Sequence, residues 1–139
     1  MNAQKILIAA VAGGITLFAT GYIIYVLIFG ASSIGLTDGA SSVLLPSDQV
    51  KFSGIIAMEL LYGLLIAATL NWKGGSGFGS GLIPGALLGL LIGFTFGLDL
   101  YSTTHLVDFN YVIFSGLTYG VRFCLAGGVV ALVLGGKQK

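Results

Sequence analysis

Charge is scarce in this sequence: 8% of its 139 residues are charged, six Lys or Arg and five Asp or Glu. A water-soluble domain carries about 25%, so these few charges cannot clothe a surface that faces water. Their near balance, a net charge of +1, gives no reason to expect nucleic acid or an acidic partner. The one cysteine, Cys124, lies deep in an apolar stretch. That excludes an internal disulfide and suits a small packing residue. The one histidine, His105, falls outside every apolar run, so haem or chlorophyll has no axial ligand within a helix bundle. With no second histidine and no usable cysteine, a zinc site cannot be completed either.

What is abundant is apolar surface: 56% hydrophobic residues and a mean hydropathy of +1.02. Four apolar runs stand out, at 6–29, 52–70, 82–98 and 111–134, and Leu100 and Tyr101 can lengthen the third. A membrane-spanning helix needs about 17–25 such residues. The runs are too long for barrel strands and lack their alternation. The first begins after Lys5 as a signal peptide would, and Gly30, Ala31 and Ser32 resemble a cleavage site. Its apolar stretch, however, far exceeds the about 7–15 residues of a signal core. The sequence therefore predicts an all-α membrane protein, a four-transmembrane-helix bundle in a single membrane domain over 1–139, with spans 6–29, 52–70, 82–100 and 111–134.

Orientation follows from lysine. Lys5, Lys73, Lys137 and Lys139 fall on one side of the predicted spans, and the opposite loops hold only Lys51. Basic residues near helix ends prefer the cytoplasm, so both termini and the 72–80 loop are expected inside. Between the spans, 31–49 is rich in Ser, Gly and Asp, and Pro46-Ser47 reads as a helix start with Ser47 as its cap. The glycine-rich link at 74–81 lacks the Gly-Lys-Ser/Thr ending and the preceding strand of a phosphate loop, and reads as a flexible turn. Pro84 is expected in the first turn of the third helix, where its missing amide costs nothing.

Gly81, Gly85, Gly89, Gly93 and Gly97 recur at every fourth position of the third span, and Gly116, Gly120, Cys124 and Gly128 do so in the fourth. Steps of four drift about 40° per turn, so each row winds gently along one side of its helix. Such rows let backbones approach where lipid gives helices no hydrophobic reason to associate. The first span offers Ala9, Ala12, Gly13, Thr16 and Thr20 on one face. These faces suit packing within one bundle, and the row of the third span also suits docking onto another subunit.

Glu59 and Arg122 are the ionisable residues well inside the spans. Each costs about 2.5–3.5 kcal/mol on insertion scales. Counted from the outer ends they lie about 10 Å and about 16 Å deep, within reach of an arginine angled outward. Glu59 shares a face with Gly63 and Ala67, and Tyr62 could add a hydrogen bond. Arg122 shares a stripe with Ser115, Thr118, Tyr119 and Ala126. A buried ion pair between them resolves both penalties. A polar path open to the outer side, and pairing with a partner subunit, are the other readings. In the 99–110 loop, Asp99, His105 and Asp108 form an outer polar cluster too thin for a metal. No nucleophile stands beside a base as an enzyme requires, so no catalytic residue and no cofactor is expected.

The opening stretch (Lys5-Ile-Leu-Ile-Ala, Gly13-Gly14-Ile15, Gly21-Tyr22, Tyr25) and the second half (Gly85-Ala-Leu-Leu-Gly89, Asp99-Leu-Tyr-Ser-Thr-Thr104, Ala126-Gly-Gly-Val-Val130) resemble a family of small bacterial four-helix membrane proteins of unknown function. The resemblance implies the fold and the bacterial cytoplasmic (inner) membrane, and carries no activity or site residues. The expected function is that of a non-catalytic membrane protein, a small structural or accessory subunit that packs against itself or a larger membrane complex. The alternative is a small oligomeric transporter or channel with a polar path at Glu59 and Arg122.

Overall fold

The computed structural model describes residues 2–30 and 34–136. Lys137 and Lys139, and the Ala31 and Ser32 of the cleavage-like site, lie outside the described residues. The described chain forms four helices, each long and apolar enough to cross a membrane. α1 runs Ala3–Tyr22 and continues as a wider π-helical stretch over Ile23–Ile28; α2 is Phe52–Lys73, α3 Phe78–Thr103 and α4 Phe109–Gly135. Apart from one isolated bridge, no strand pairing occurs among the described residues.

Each helix is longer than its apolar segment, and two of them open on a side-chain cap. Asn2 accepts the amide of Lys5 at the start of α1, and Asp108 accepts those of Asn110 and Tyr111 at the start of α4. Two sequence expectations need correction. Ser47 opens only a one-turn 3-10 helix, Ser47–Gln49, and makes no side-chain cap. The extended backbone of Val50 then interrupts the chain, and α2 starts afresh at Phe52. Pro84 lies in the interior of α3, well past the first turn, because α3 begins at Phe78. The ring of Phe78 sits over Gly128 of α4, which draws the glycine-rich segment 78–81 into the helix. Only 74–77 remains as the turn, with Gly74, Gly75 and Gly77 at positive φ.

α4 is the organising helix. α3 packs along one side of it, α1 and α2 pack on the other side and on each other, and α3 barely meets α2. Leu17, Ile66, Phe123 and Val130 are fully buried where α1, α2 and α4 meet. That core occupies the half of the bundle nearest the termini, where Lys5 Nζ donates to Gly136 O at 2.7 Å. The outer faces remain apolar: Ile83 and Leu91 of α3 are 72% and 67% exposed. Surfaces of that kind suit lipid contact rather than water. Trp72, 82% exposed at the end of α2, has the amphipathic ring favoured at a membrane interface.

At the other end, called distal below, the connection after α1 is clasped to the one between α3 and α4. Leu36 and Val107 form an antiparallel bridge, Thr37 donates its amide to Leu106 O at 3.0 Å, and Asp108 donates its own to Gly35 O at 2.7 Å. Gly35 has φ +71°, and a Cβ there would run into the backbone of Tyr111. Only glycine fits that position.

Candidate functional site

Glu59 faces the bundle from the distal half of α2, and Arg122 from midway along α4. Both are buried, at 4% and 2% exposure. The Arg122 Nη2 donates to Glu59 Oε1 and also to the backbone carbonyl of Leu17 in α1, at 3.0 Å. The guanidinium fits because α1 carries glycine where it passes. A Cβ on Gly21 would come within 2.9 Å of Nη2. The guanidinium carbon lies 5.5 Å from the ring centre of Tyr25 and 5.3 Å from that of Tyr119, within the range of cation–π attraction. Three helices therefore converge on one side chain. Tyr62 does not reach the carboxylate; its ring meets Tyr119 and Phe123 edge-on, at 6.0 Å and 5.2 Å.

The pair is incompletely satisfied. Glu59 Oε2 and Arg122 Nε are buried and have no hydrogen-bond partner among the described residues. In native interiors such orphaned atoms are few, and each calls for an explanation. Both residues line a cavity of about 350 Å³ between α1, α2 and α4 in the distal half of the bundle. Its walls are chiefly aromatic and aliphatic, among them Phe18, Tyr25, Ile55, Met58, Phe114 and Tyr119. Tyr22, Val26 and Phe52 also line it and are exposed on the outside of α1 and α2, so its mouth lies between those two helices, on a face suited to lipid. Beyond the pair the way is closed by the packed Leu17, Ile66 and Phe123.

The π-helical stretch builds one wall. It carries Tyr25, whose hydroxyl shares a hydrogen bond with Thr118 Oγ1 at 3.1 Å. Tyr25 and Phe29 both meet Phe114 edge-on, with ring centres 6.0 Å and 5.0 Å apart. Short π-helical insertions recur at functional sites. Nothing in Ile23-Ile-Tyr-Val-Leu-Ile28 distinguishes this stretch from ordinary α-helix, and the sequence reading missed it. It also missed Gly21 and the Leu17 carbonyl, which carry no polar side chain to attract notice.

The glycine rows are occupied within the chain. Gly81, Gly85, Gly89, Gly93 and Gly97 are all buried against α4. A Cβ on Gly81, Gly85 or Gly89 would collide with the carbonyl oxygens of Gly127, Phe123 and Tyr119 respectively, and one on Gly97 would lie 2.9 Å from Val112 Cα. Ser115 donates to Gly93 O at 3.0 Å along the same seam. On α4, Gly116, Gly120 and Gly128 receive Phe94, Leu90 and Phe78. No part of the α3 row is left open to another subunit. α1 uses Ala10, Gly13 and Gly14 against Gly63 and Glu59 of α2, whereas Thr16 and Thr20 bond to carbonyls of their own helix.

Asp99, His105 and Asp108 lie at the distal end, each with a separate hydrogen-bond partner. Asp108 is engaged as the α4 cap, the backbone carbonyl of His105 accepts from the hydroxyl of Thr37, and that of Asp99 accepts from Thr103 Oγ1. Among the described residues, no three His, Cys, Asp or Glu side chains are placed to hold a metal ion. Comparison with known proteins returned no match to a family model, a curated protein or a solved structure.

Proposed function

We propose that this chain is a non-catalytic multi-pass membrane protein that binds a small amphiphilic molecule taken laterally from the surrounding lipid. The observation that carries this reading is the cavity between α1, α2 and α4, apolar along its walls and ended by a buried ion pair with two unpartnered polar atoms. Binding pockets have this character, mostly apolar with a few convergent polar groups, and intramembrane charges mark substrate sites more often than lipid-facing positions. A cavity of about 350 Å³ falls at the lower end of the range for small-molecule sites. A continuous channel is less well supported, because Leu17, Ile66, Phe123 and Val130 close the bundle beyond the pair. An accessory subunit docking through α3 glycines loses its support, since α4 covers that row.

Met58 lines the cavity without taking part in the ion pair, so Met58→Trp should fill the space and leave Glu59 and Arg122 in contact. Native mass spectrometry of protein extracted gently from its own membrane is expected to detect a retained small molecule on the parent chain and none on Met58→Trp. A molecule retained equally by both, or by neither, contradicts the proposal.

We further propose that both termini face the cytoplasm of a bacterial cell, with the chain in its cytoplasmic membrane. The lysine distribution supports the orientation, and the four long apolar helices support a multi-pass membrane location. The cavity mouth then opens toward the outer leaflet. Reporter fusions in the α2–α3 turn at Gly77 and in the distal loop at Asp108 are expected to report opposite sides, with Gly77 cytoplasmic. Agreement between the two would exclude four crossings.

A further inference from the structure

We infer that the cavity selects a flat aromatic body of about two fused rings over a saturated body of the same size. This rests on the ligand-binding reading above and adds the chemistry of the part that is enclosed. The unpartnered atoms of Glu59 and Arg122 are fully buried, so an incoming molecule meets the walls rather than those atoms. The walls are rich in rings. Half of the residues that line the cavity are aromatic, against 12% of the chain. Phe18, Tyr22 and Phe52 are exposed, and Tyr25, Phe114 and Tyr119 are half-buried.

Apolar area alone gives a molecule little reason to leave the lipid for the cavity. Lipid tails are as apolar as the walls, so the transfer removes no apolar surface from water. Lipid tails carry no rings, however. A ring packed on a ring gains a quadrupole contact beyond the area it buries, and each such contact tightens binding about two- to tenfold. A saturated body gains none of this. The wall rings are also fixed in advance, which spares the cost of ordering them on binding. Tyr25 is tied to Thr118 and meets Phe114 edge-on. Tyr119 stacks on Phe123 with ring centres 5.8 Å apart, and the Arg122 guanidinium lies against both tyrosines. Size follows from volume. An engineered apolar cavity of about 150 Å³ holds one benzene ring, and this one, at about 350 Å³, has room for two fused rings.

The test uses the full chain in nanodiscs of saturated phosphatidylcholine, with ¹³C in its methionine methyl groups, and the probes naphthalene, decalin and benzene. Naphthalene and decalin share one carbon skeleton and differ in aromaticity. Met58 lines the cavity, so its methyl signal should shift and saturate as naphthalene is added. Decalin should displace naphthalene only at a membrane mole fraction at least about fivefold higher, the gain expected from one or two ring contacts. Benzene, which leaves half the space empty, should also bind more weakly than naphthalene. Phe18→Leu with Phe114→Leu removes two rings but keeps the wall apolar, and should bring naphthalene close to decalin. Equal affinity of naphthalene and decalin for the parent chain would overturn the ring selection while leaving the cavity a binding site. Benzene binding as tightly as naphthalene would overturn the two-ring size. No saturable response of Met58 to any probe would overturn both this inference and the reading beneath it.

Discussion

Replacing Gly89 by leucine should detach α3 from the bundle. A single Cβ at that position would already collide with Tyr119 O and lie 2.7 Å from Phe123 Cβ, so a leucine can be accommodated only if the two helices move apart. Overpacking of a well-filled contact costs about 1–3 kcal/mol. The upper end applies here, because the obstacle is backbone rather than a flexible side chain. α3 also has little to fall back on, since it packs almost entirely on α4. Leu91→Ala on the lipid-facing side of the same helix is the control, as Leu91 is 67% exposed. Thermal unfolding in mild detergent should show a large loss for Gly89→Leu and almost none for Leu91→Ala. Equal, small effects would mean that α3 does not depend on close approach to α4.

The four helices are legible in the sequence because lipid demands length and apolarity together, and the runs at 6–29, 52–70 and 111–134 meet both conditions without help from tertiary structure. The third helix is harder. Its first turn consists of Phe78, Gly79, Ser80 and Gly81, residues that look like a loop until Phe78 finds Gly128. The spacing of its glycines marks a contact face, but spacing carries no information about which helix covers it. Buried charge is legible in a different way. Neither Glu59 nor Arg122 can stay alone in an apolar span, so each points to the other. The rest of the site is not written in side-chain chemistry. Gly21 matters for the space it leaves, Leu17 for its carbonyl, and Ile23–Ile28 for a backbone form that its residues do not announce. A cavity is a shape between helices, and it emerges only when they are placed. The cap at Asp108 was within reach, since Asp directly before an apolar run is a helix-start signal.

Glu59 and Arg122 are expected to behave as one unit, and a double-mutant cycle measures that directly. Arg122→Leu strands the Glu59 carboxylate without its only hydrogen-bond donor among the described residues. Glu59→Leu leaves the guanidinium with Leu17 O and two tyrosine faces but no counter-charge. Breaking a buried pair by removing one partner costs about 3–5 kcal/mol, whereas replacing both with apolar residues of similar volume is often neutral or better. Each single variant should therefore unfold well below the parent chain, and Glu59→Leu with Arg122→Leu should recover most of the loss. That folded double variant should also fail to retain the small molecule carried by the parent chain. The deciding quantity is the coupling free energy between the two positions, measured from the stabilities of all four proteins in nanodiscs. The pairing of Glu59 with Arg122 at the cavity wall predicts a coupling of several kcal/mol, about the cost of one single substitution; additive losses with no coupling would contradict it.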